Sequence, residues 1–500
     1  MRPRHILLVV TGAIGFCALV TLNSGGYHYG VSDQAFYIPV VLHEIDPHLF
    51  PHDGALLDAQ DRLLFFDDWF APIVKVTGVS LPVAFLVGQI VTLLVLYGAI
   101  IGVGRALYSS WWTVGGLAVL MTIRHRIPHT SANSVEGYFH PRMLAFAIGM
   151  SATALYLSGR TRLALVVVGA ALLTHPTTGL WFALLVGGAA MVRGDVAVRP
   201  VVTGLAVATA VGVWVLGPGL WDQLVVMDAM WLRVLTLKDY LVIGGWPLAG
   251  WFSNLAITAF VLVVYRYRRS LGVAREREGA LVAGCGLLLG FFLLSAPFSY
   301  ASVALAVQLL ANRVFWVIDA VGVVLLAWLL FESPLRVRVP RVVAGRRSRR
   351  ALVVLIALLA LWRGGYRGFV EGEGQPVIQV GRADSDWGTV MSWAATQPIG
   401  TLFLADPVHA ARYGTSVRAD AGRDVYLELF KDSGVAIYSS AVAHRVARRI
   451  EDLGDFEQLT AKRARDLATQ YEIDFLITER SLDLPVATRE GPLVVYALRR

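Results

Sequence analysis

Five hundred residues with 56% hydrophobic and only 16% charged side chains, at a mean hydropathy of +0.60, exclude both a set of soluble domains and disorder. The 44 lysines and arginines against 36 aspartates and glutamates give a net charge of +8, which in a soluble chain would point to nucleic acid. Here the excess lies in the apolar part, since residues 1–362 hold 27 basic and 17 acidic side chains while residues 363–500 hold 17 and 19, so nucleic acid is not an expected partner and a polytopic α-helical membrane protein is.

The first apolar run, residues 5–24 behind Arg2 and Arg4, is longer than the core of a signal peptide and reads as an uncleaved helix. Residues 25–80 follow as a large acidic loop whose Phe36, Tyr37, Phe65, Phe66, Trp69 and Phe70 predict helices lying along the membrane interface. Within it Asp33 precedes a helical stretch, where Ser32 or Asp33 can cap; an ionised carboxylate at that helix start can accept a proton from an acceptor hydroxyl or amine, or coordinate a cation. Asp53, in Asp46-Pro47-His48-Leu49-Phe50-Pro51-His52-Asp53, has the same choice between cap and ligand, and His43, His48 and His52 lack the tight spacing of a metal site. A divalent cation is therefore an open possibility, not a prediction.

Further apolar runs of bilayer scale occupy roughly residues 80–104, 109–123, 143–158, 201–217, 250–265, 279–296 and 302–331, with a shorter one at 351–362. Between the second and third of these, residues 124–142 are basic: Arg124, His125, Arg126, His129, His140 and Arg142 accompany only Glu136. Such a loop at bilayer level suits a lipid-linked phosphate, because guanidinium forks satisfy phosphate oxygens in pairs; headgroup contact is the plainer alternative.

Residues 163–192 are apolar except at His175-Pro176-Thr177-Thr178-Gly179, and each half is too short to span a core of ~30 Å upright. Charge parity favours a hairpin of two short or tilted helices over one kinked span. With the hairpin there are about eleven spans, and 19 of the 27 basic residues of the membrane part fall on the N-terminal side, at Arg2 and Arg4, Arg105, Arg160 and Arg162, Arg193 and Arg199, and in the two arginine clusters of 266–277 and 336–350. The N-terminus is then cytoplasmic in the plasma membrane, and loops 25–80, 124–142 and 218–249 face outward with the tail. Arg313 and Asp319 fall within an apolar run, six positions apart and so on different helix faces; intramembrane charges are costly and mark function by default.

After residue 362 the composition changes. Helices at 387–396 and 461–471 alternate with strands at 401–405, 473–478 and 492–498, which predicts a small extracytoplasmic α/β domain over 363–500, without a dinucleotide fingerprint or P-loop.

An acidic loop after the first span, many helices and a C-terminal α/β domain make the chain similar to the GT-C superfamily of membrane glycosyltransferases, through its overall architecture and the placement of Asp33. The segments from Asp33 to Asp53, Tyr138-Phe139-His140-Pro141-Arg142 and His175-Pro176-Thr177-Thr178-Gly179 resemble an uncharacterised bacterial branch. The resemblance implies a sugar donor on a polyprenyl phosphate, with Asp33 as base or acceptor-binding carboxylate. Arg124, Arg126, His140, Arg142, His175, Arg313 and Asp53 are the expected substrate-binding residues. Many GT-C members carry two adjacent acids at this position, whereas Gln34 follows Asp33 here, and no sequon-recognition motif is present in the tail. A lipid or glycolipid transporter and a non-catalytic scaffold of envelope assembly are the alternative readings of the same residues.

Overall fold

A computed structural model describes residues 3–61, 65–197, 199, 223–334 and 346–499. The run expected at 201–217 and part of the arginine-rich connection at 336–350 lie outside them. By their contacts the residues form two units, one drawn from 1–27, 88–226 and 239–377, the other from 28–87, 227–238 and 378–500. The first acidic loop is thus grouped with the tail.

The first unit is helical. Five helices of the described chain are long and apolar enough to cross a membrane: Leu81–Leu107, Leu248–Ser270, Glu276–Tyr300, Ala304–Phe331 and Arg347–Glu371, with shorter apolar helices at Val9–Asn23, Trp111–Thr122, Pro141–Leu157 and Thr161–Thr174. This is a multi-pass membrane protein, but by length and composition the described residues do not reach the eleven spans expected from the sequence. One expected run, 201–217, is not among them, and the length of the others has a physical reason. Several apolar helices stop at 12–17 residues because Pro, Gly or a capping side chain ends them, as Ser110 does in accepting from the Trp112 amide and opening Trp111–Thr122.

The break at His175 is a reversal of direction. His175 ends the helix Thr161–Thr174 in an extended conformation and caps Pro176–Phe182, its Nδ1 accepting from the Thr178 amide at 3.3 Å. Pro176 at the first helical position lacks only an amide that would be unpaired there anyway. A side-chain carbon on Gly179 would stand 2.4 Å from the backbone of Leu172, seven residues back, so the chain has folded onto itself and only glycine fits. The second arm continues through a π-helical turn, Ala183–Gly187, to Gly188–Arg193. A side-chain carbon on Gly284 of Glu276–Tyr300 would likewise stand 2.4 Å from the Leu185 carbonyl oxygen, so this helix meets the turn through a small residue, as membrane helices pack. The connection between Leu248–Ser270 and Glu276–Tyr300 is closed by a buried pair, Arg268 Nε to Glu278 Oε1 at 2.5 Å, with Arg268 lying over the Trp328 ring.

The second unit joins the helices Gln34–Ile45, Gly54–Asp61 and Phe66–Thr77 to Ala229–Leu235 and an α/β layer. Phe66, Phe70 and Phe85 pack together, Phe66 stacked on Phe70 at 4.8 Å. In the α/β layer β1 (Leu402–Leu404), β2 (Asp424–Val425), β3 (Phe475–Thr478), β4 (Val486–Glu490) and β5 (Leu493–Ala497) form one sheet in the order β2-β1-β3-β5-β4. The first three strands are parallel, and β5 pairs antiparallel with β3 and with β4. The helix Asp386–Ala395 covers the sheet with Trp387, Val390, Met391 and Ala394 against Phe403, Val425, Ile477 and Val495. Continuous burial along β1 follows from its central place, flanked by parallel neighbours on both sides.

Candidate functional site

The basic loop of the first unit is built around one carboxylate. Arg126–Ile127 and Ala132–Asn133 form a short antiparallel ribbon, with His129 and Ser131 at positive φ in its turn. The loop then brings Glu136 into a buried position. Asn133 Nδ2 donates to both Glu136 oxygens at 3.0 and 3.1 Å. Arg124 Nη2 donates to Oε2 at 3.1 Å, and Arg142 Nη2 stands 3.7 Å from Oε1. Arginines from the two ends of the loop are thereby held side by side, and their rotamers are set before any ligand arrives. Arg142 is in place because His140 caps the helix Pro141–Leu157, Nδ1 accepting from the Met143 amide at 3.4 Å.

Arg313 meets the same loop from another element. It lies in a 3-10 turn, Ala311–Arg313, after the left-handed residue Leu310 and at the start of Val314–Phe331. Its Nε donates to the Thr130 carbonyl at 3.3 Å, and Asn312 Nδ2 donates to the carbonyls of His129 and Tyr240. Asp319, on that helix, has a partner the sequence did not suggest: His125 Nε2, at 3.0 Å. His125 Nδ1 faces the Ile123 carbonyl at 3.1 Å, so both ring nitrogens address acceptors, an arrangement that favours the doubly protonated ring. The hydrogen bond to Asp319 accordingly raises its pKa, with burial opposing. Arg363 completes the surround, donating to the Arg124 carbonyl and the Asn23 side chain at 2.7 Å each. Arg126, by contrast, is exposed and stands 3.6 Å from Asp239. His175 is engaged as the cap of its hairpin, with the Thr178 hydroxyl 3.0 Å from Nδ1.

In the second unit Asp33 occupies the cap position of Gln34–Ile45, yet its side chain makes no capping hydrogen bond. Gln34 holds the chain entering the helix, its Oε1 accepting from the Gly30 amide at 2.8 Å. The Asp33 carboxylate is 37% exposed, and Lys431 Nζ lies 3.9 Å from Oδ1.

Asp53 is completely buried, so none of its surface reaches solvent, and the substrate contact expected of it meets that obstacle. Arg418 Nε donates to Oδ2 at 2.6 Å, Arg445 donates to Oδ1, and Arg449 is 3.9 Å away. The Val425 amide also donates to Oδ2, at 3.3 Å, and Asp424 accepts from the His52 and Asp53 amides. Burial by itself would raise the Asp53 pKa, but the guanidinium groups of Arg418, Arg445 and Arg449 outweigh it and hold the carboxyl well below the usual range. Asp424 beside it is pushed upward, by burial and then by the charge of Asp53. Arg418 extends the cluster to Asp432 and Glu428; burial lifts Glu428 to about 7. The cluster ties the first loop to β2 and its neighbours.

Among the described residues no three histidine, cysteine, aspartate or glutamate side chains converge to hold a metal ion, and His43 is spent on the Leu49 carbonyl at 2.9 Å. Sequence reasoning passed over Glu136 and Asp319 as organisers; the signal for the first was its position as the lone acid in a basic loop.

No family model and no curated protein matches the chain. Among solved structures it is similar to the Archaeoglobus fulgidus oligosaccharyltransferase in its apo form, at 12% identity and a TM-score of 0.47 over 96% of this chain and 70% of that one. It is similar also to the same enzyme tethered by a disulfide bond to an acceptor peptide containing the NVT sequon, at 13% identity and a TM-score of 0.46 over 96% and 69%.

Proposed function

We propose that the chain is a GT-C-type membrane glycosyltransferase that moves a sugar from a polyprenyl-phosphate carrier to an acceptor on the outer face of the plasma membrane. The observation that carries this reading is the pair of guanidinium groups, Arg124 and Arg142, preset on the buried Glu136. Two forks fixed in this way match a phosphate ester, and in a site poor in water they stabilise the charge that gathers on a leaving phosphate. Arg313, anchored to the same loop, adds a third donor.

Asp33 supplies the other half of the chemistry. An acceptor hydroxyl or amine attacks the anomeric carbon, its proton passes to the Asp33 carboxylate, and the bond from the anomeric carbon to the carrier's phosphate oxygen breaks with inversion. The electron pair of that bond leaves on the polyprenyl phosphate, where the arginines take up the charge. Support for Asp33 as base comes from its carboxylate being partly exposed, with Lys431 Nζ 3.9 Å from Oδ1. Asp53 is assigned a positioning role through Arg418, and His140 and His175 act by fixing the helices they cap. No step uses a metal.

The test is transfer from a polyprenyl-phosphate sugar in lipid nanodiscs. Asp33→Asn is expected to lower turnover by about 10²–10⁴-fold, the usual worth of a general base, with unchanged thermal unfolding. Turnover equal to that of the parent protein removes Asp33 from the mechanism. Retained binding of the lipid without transfer in the parent protein favours a transporter instead.

A further inference from the structure

The α/β layer contains a cavity of about 260 Å³, close to the lower end of small-ligand sites at ~300 Å³. Its place in the fold is informative. From β1 the chain crosses to β2 on one side, and β3 later returns to the other side of β1, all three parallel. The carboxyl ends of β1 and β3 therefore flank a point where the strand order reverses, the position at which open α/β sheets bind ligands. The lining comes from just beyond those ends: Asp406 after β1, and Thr478, Glu479 and Arg480 from β3 onward.

The lining chemistry narrows the ligand. Arg412 stands at the centre of three carboxylates, with Nη1 3.2 Å from Asp406 and 3.4 Å from Glu457, and Nη2 2.7 Å from Glu479. The Tyr413 hydroxyl donates to the other oxygen of Glu479 at 2.7 Å. The Tyr413 ring lies flat against Trp387, centroids 4.5 Å apart and planes within 12°, and both rings line the cavity. With Arg480 included the acids still exceed the bases, so a phosphate or carboxylate ligand is disfavoured. Carboxylates and a guanidinium fork fixed by each other offer acceptors and donors at close spacing, as paired sugar hydroxyls require. Arg412 also lies over the Tyr413 ring, so the stacked pair meets the cavity as an apolar aromatic wall, against which the C–H groups of a pyranose ring can pack.

We infer that this pocket is a binding site for an uncharged saccharide, one sugar ring in size, separate from the transfer chemistry assigned to Asp33 and the basic loop. The inference stands apart from the transferase reading, since a scaffold or a transporter could carry such a pocket as well.

Saturation-transfer NMR on the full chain in lipid nanodiscs tests it, with methyl α-mannoside, methyl β-galactoside and xylose as neutral probes and inorganic phosphate as the anionic competitor. At least one saccharide is expected to show transfer to its ring protons at millimolar concentration. Glu479→Gln and, independently, the more exposed Glu457→Gln are expected to reduce the signal at least several-fold while phosphate does not displace it. Asp33→Asn, which disables transfer in the reading above, is expected to bind saccharide as the parent protein does, so loss of transfer and loss of this site are read separately. Absence of any saccharide signal, a signal unaffected by both glutamine variants, or displacement by phosphate overturns the inference.

Discussion

Glu428 shows how burial and charge set the pH response of the second unit. It is buried, with Arg418 Nη1 3.6 Å from its carboxyl, and burial lifts its pKa to about 7. A carboxyl raised in the folded state contributes stability that is complete below its unfolded pKa and is lost as pH climbs through the folded value. Ionisation at pH 8 therefore costs about 3 kcal/mol relative to an ordinary glutamate. Glu428→Gln is expected to raise the melting temperature at pH 8 and to have little effect at pH 5, where the native side chain is itself protonated; an equal shift at both pH values contradicts this. Asp53 behaves in the opposite sense. Its depressed pKa makes its contribution present at neutral pH and lost on acidification. Asp53→Ala takes one of its carboxylates from buried Arg418, which keeps Asp432, and removes the acid that Arg445 and Arg449 face, so a loss of about 3–5 kcal/mol is expected in denaturant unfolding, as for other broken buried pairs. None of this was legible in Asp46-Pro47-His48-Leu49-Phe50-Pro51-His52-Asp53, because the three arginines that decide the role of Asp53 lie more than 360 residues away.

At the scale of elements, periodicity and breakers carried the reading well where a helix ends locally. His175-Pro176 marked a break, and the parity of basic clusters favoured the reversal that Gly179 makes possible against Leu172. Gly179→Ala is expected to destabilise the first unit by about 1–3 kcal/mol through overpacking, seen as a lower melting temperature; an unchanged value contradicts so close a contact. In the tail, the helices and strands expected near 387–396, 401–405, 461–471, 473–478 and 492–498 have counterparts at Asp386–Ala395, Leu402–Leu404, Ala461–Tyr471, Phe475–Thr478 and Leu493–Ala497. The helix Ser440–Leu453 and the two-residue β2 were not foreseen. In the helix, arginines interleave with short apolar residues, and a strand of two residues is too short for any period to register. Arg313 belongs to a turn stiffened by Leu310 and Asn312, which an unbroken apolar stretch conceals.

For the whole molecule, the second unit is assembled from three separate stretches, 28–87, 227–238 and 378–500. The helix Ala229–Leu235 is fastened within it by the Trp231 indole, which donates to the Ala436 carbonyl at 2.7 Å, and by Asp228 against His444 at 2.9 Å. A chain ending after residue 377 is therefore expected to leave 28–87 open to limited proteolysis, whereas the full chain resists at those positions. Equal resistance would mean that the acidic loop holds its shape without the α/β layer.

The membrane character, the split between an apolar and a mixed-charge part, the acidic first loop and the alternating strands of the tail follow from composition and short-range pattern, because partition and periodicity are properties of neighbouring residues. Which arginine meets which carboxylate depended on folding. Glu136 gathers Arg124 and Arg142, Asp319 takes His125, and Arg418 takes Asp53, since ion pairs are set by proximity in space and burial raises their stakes.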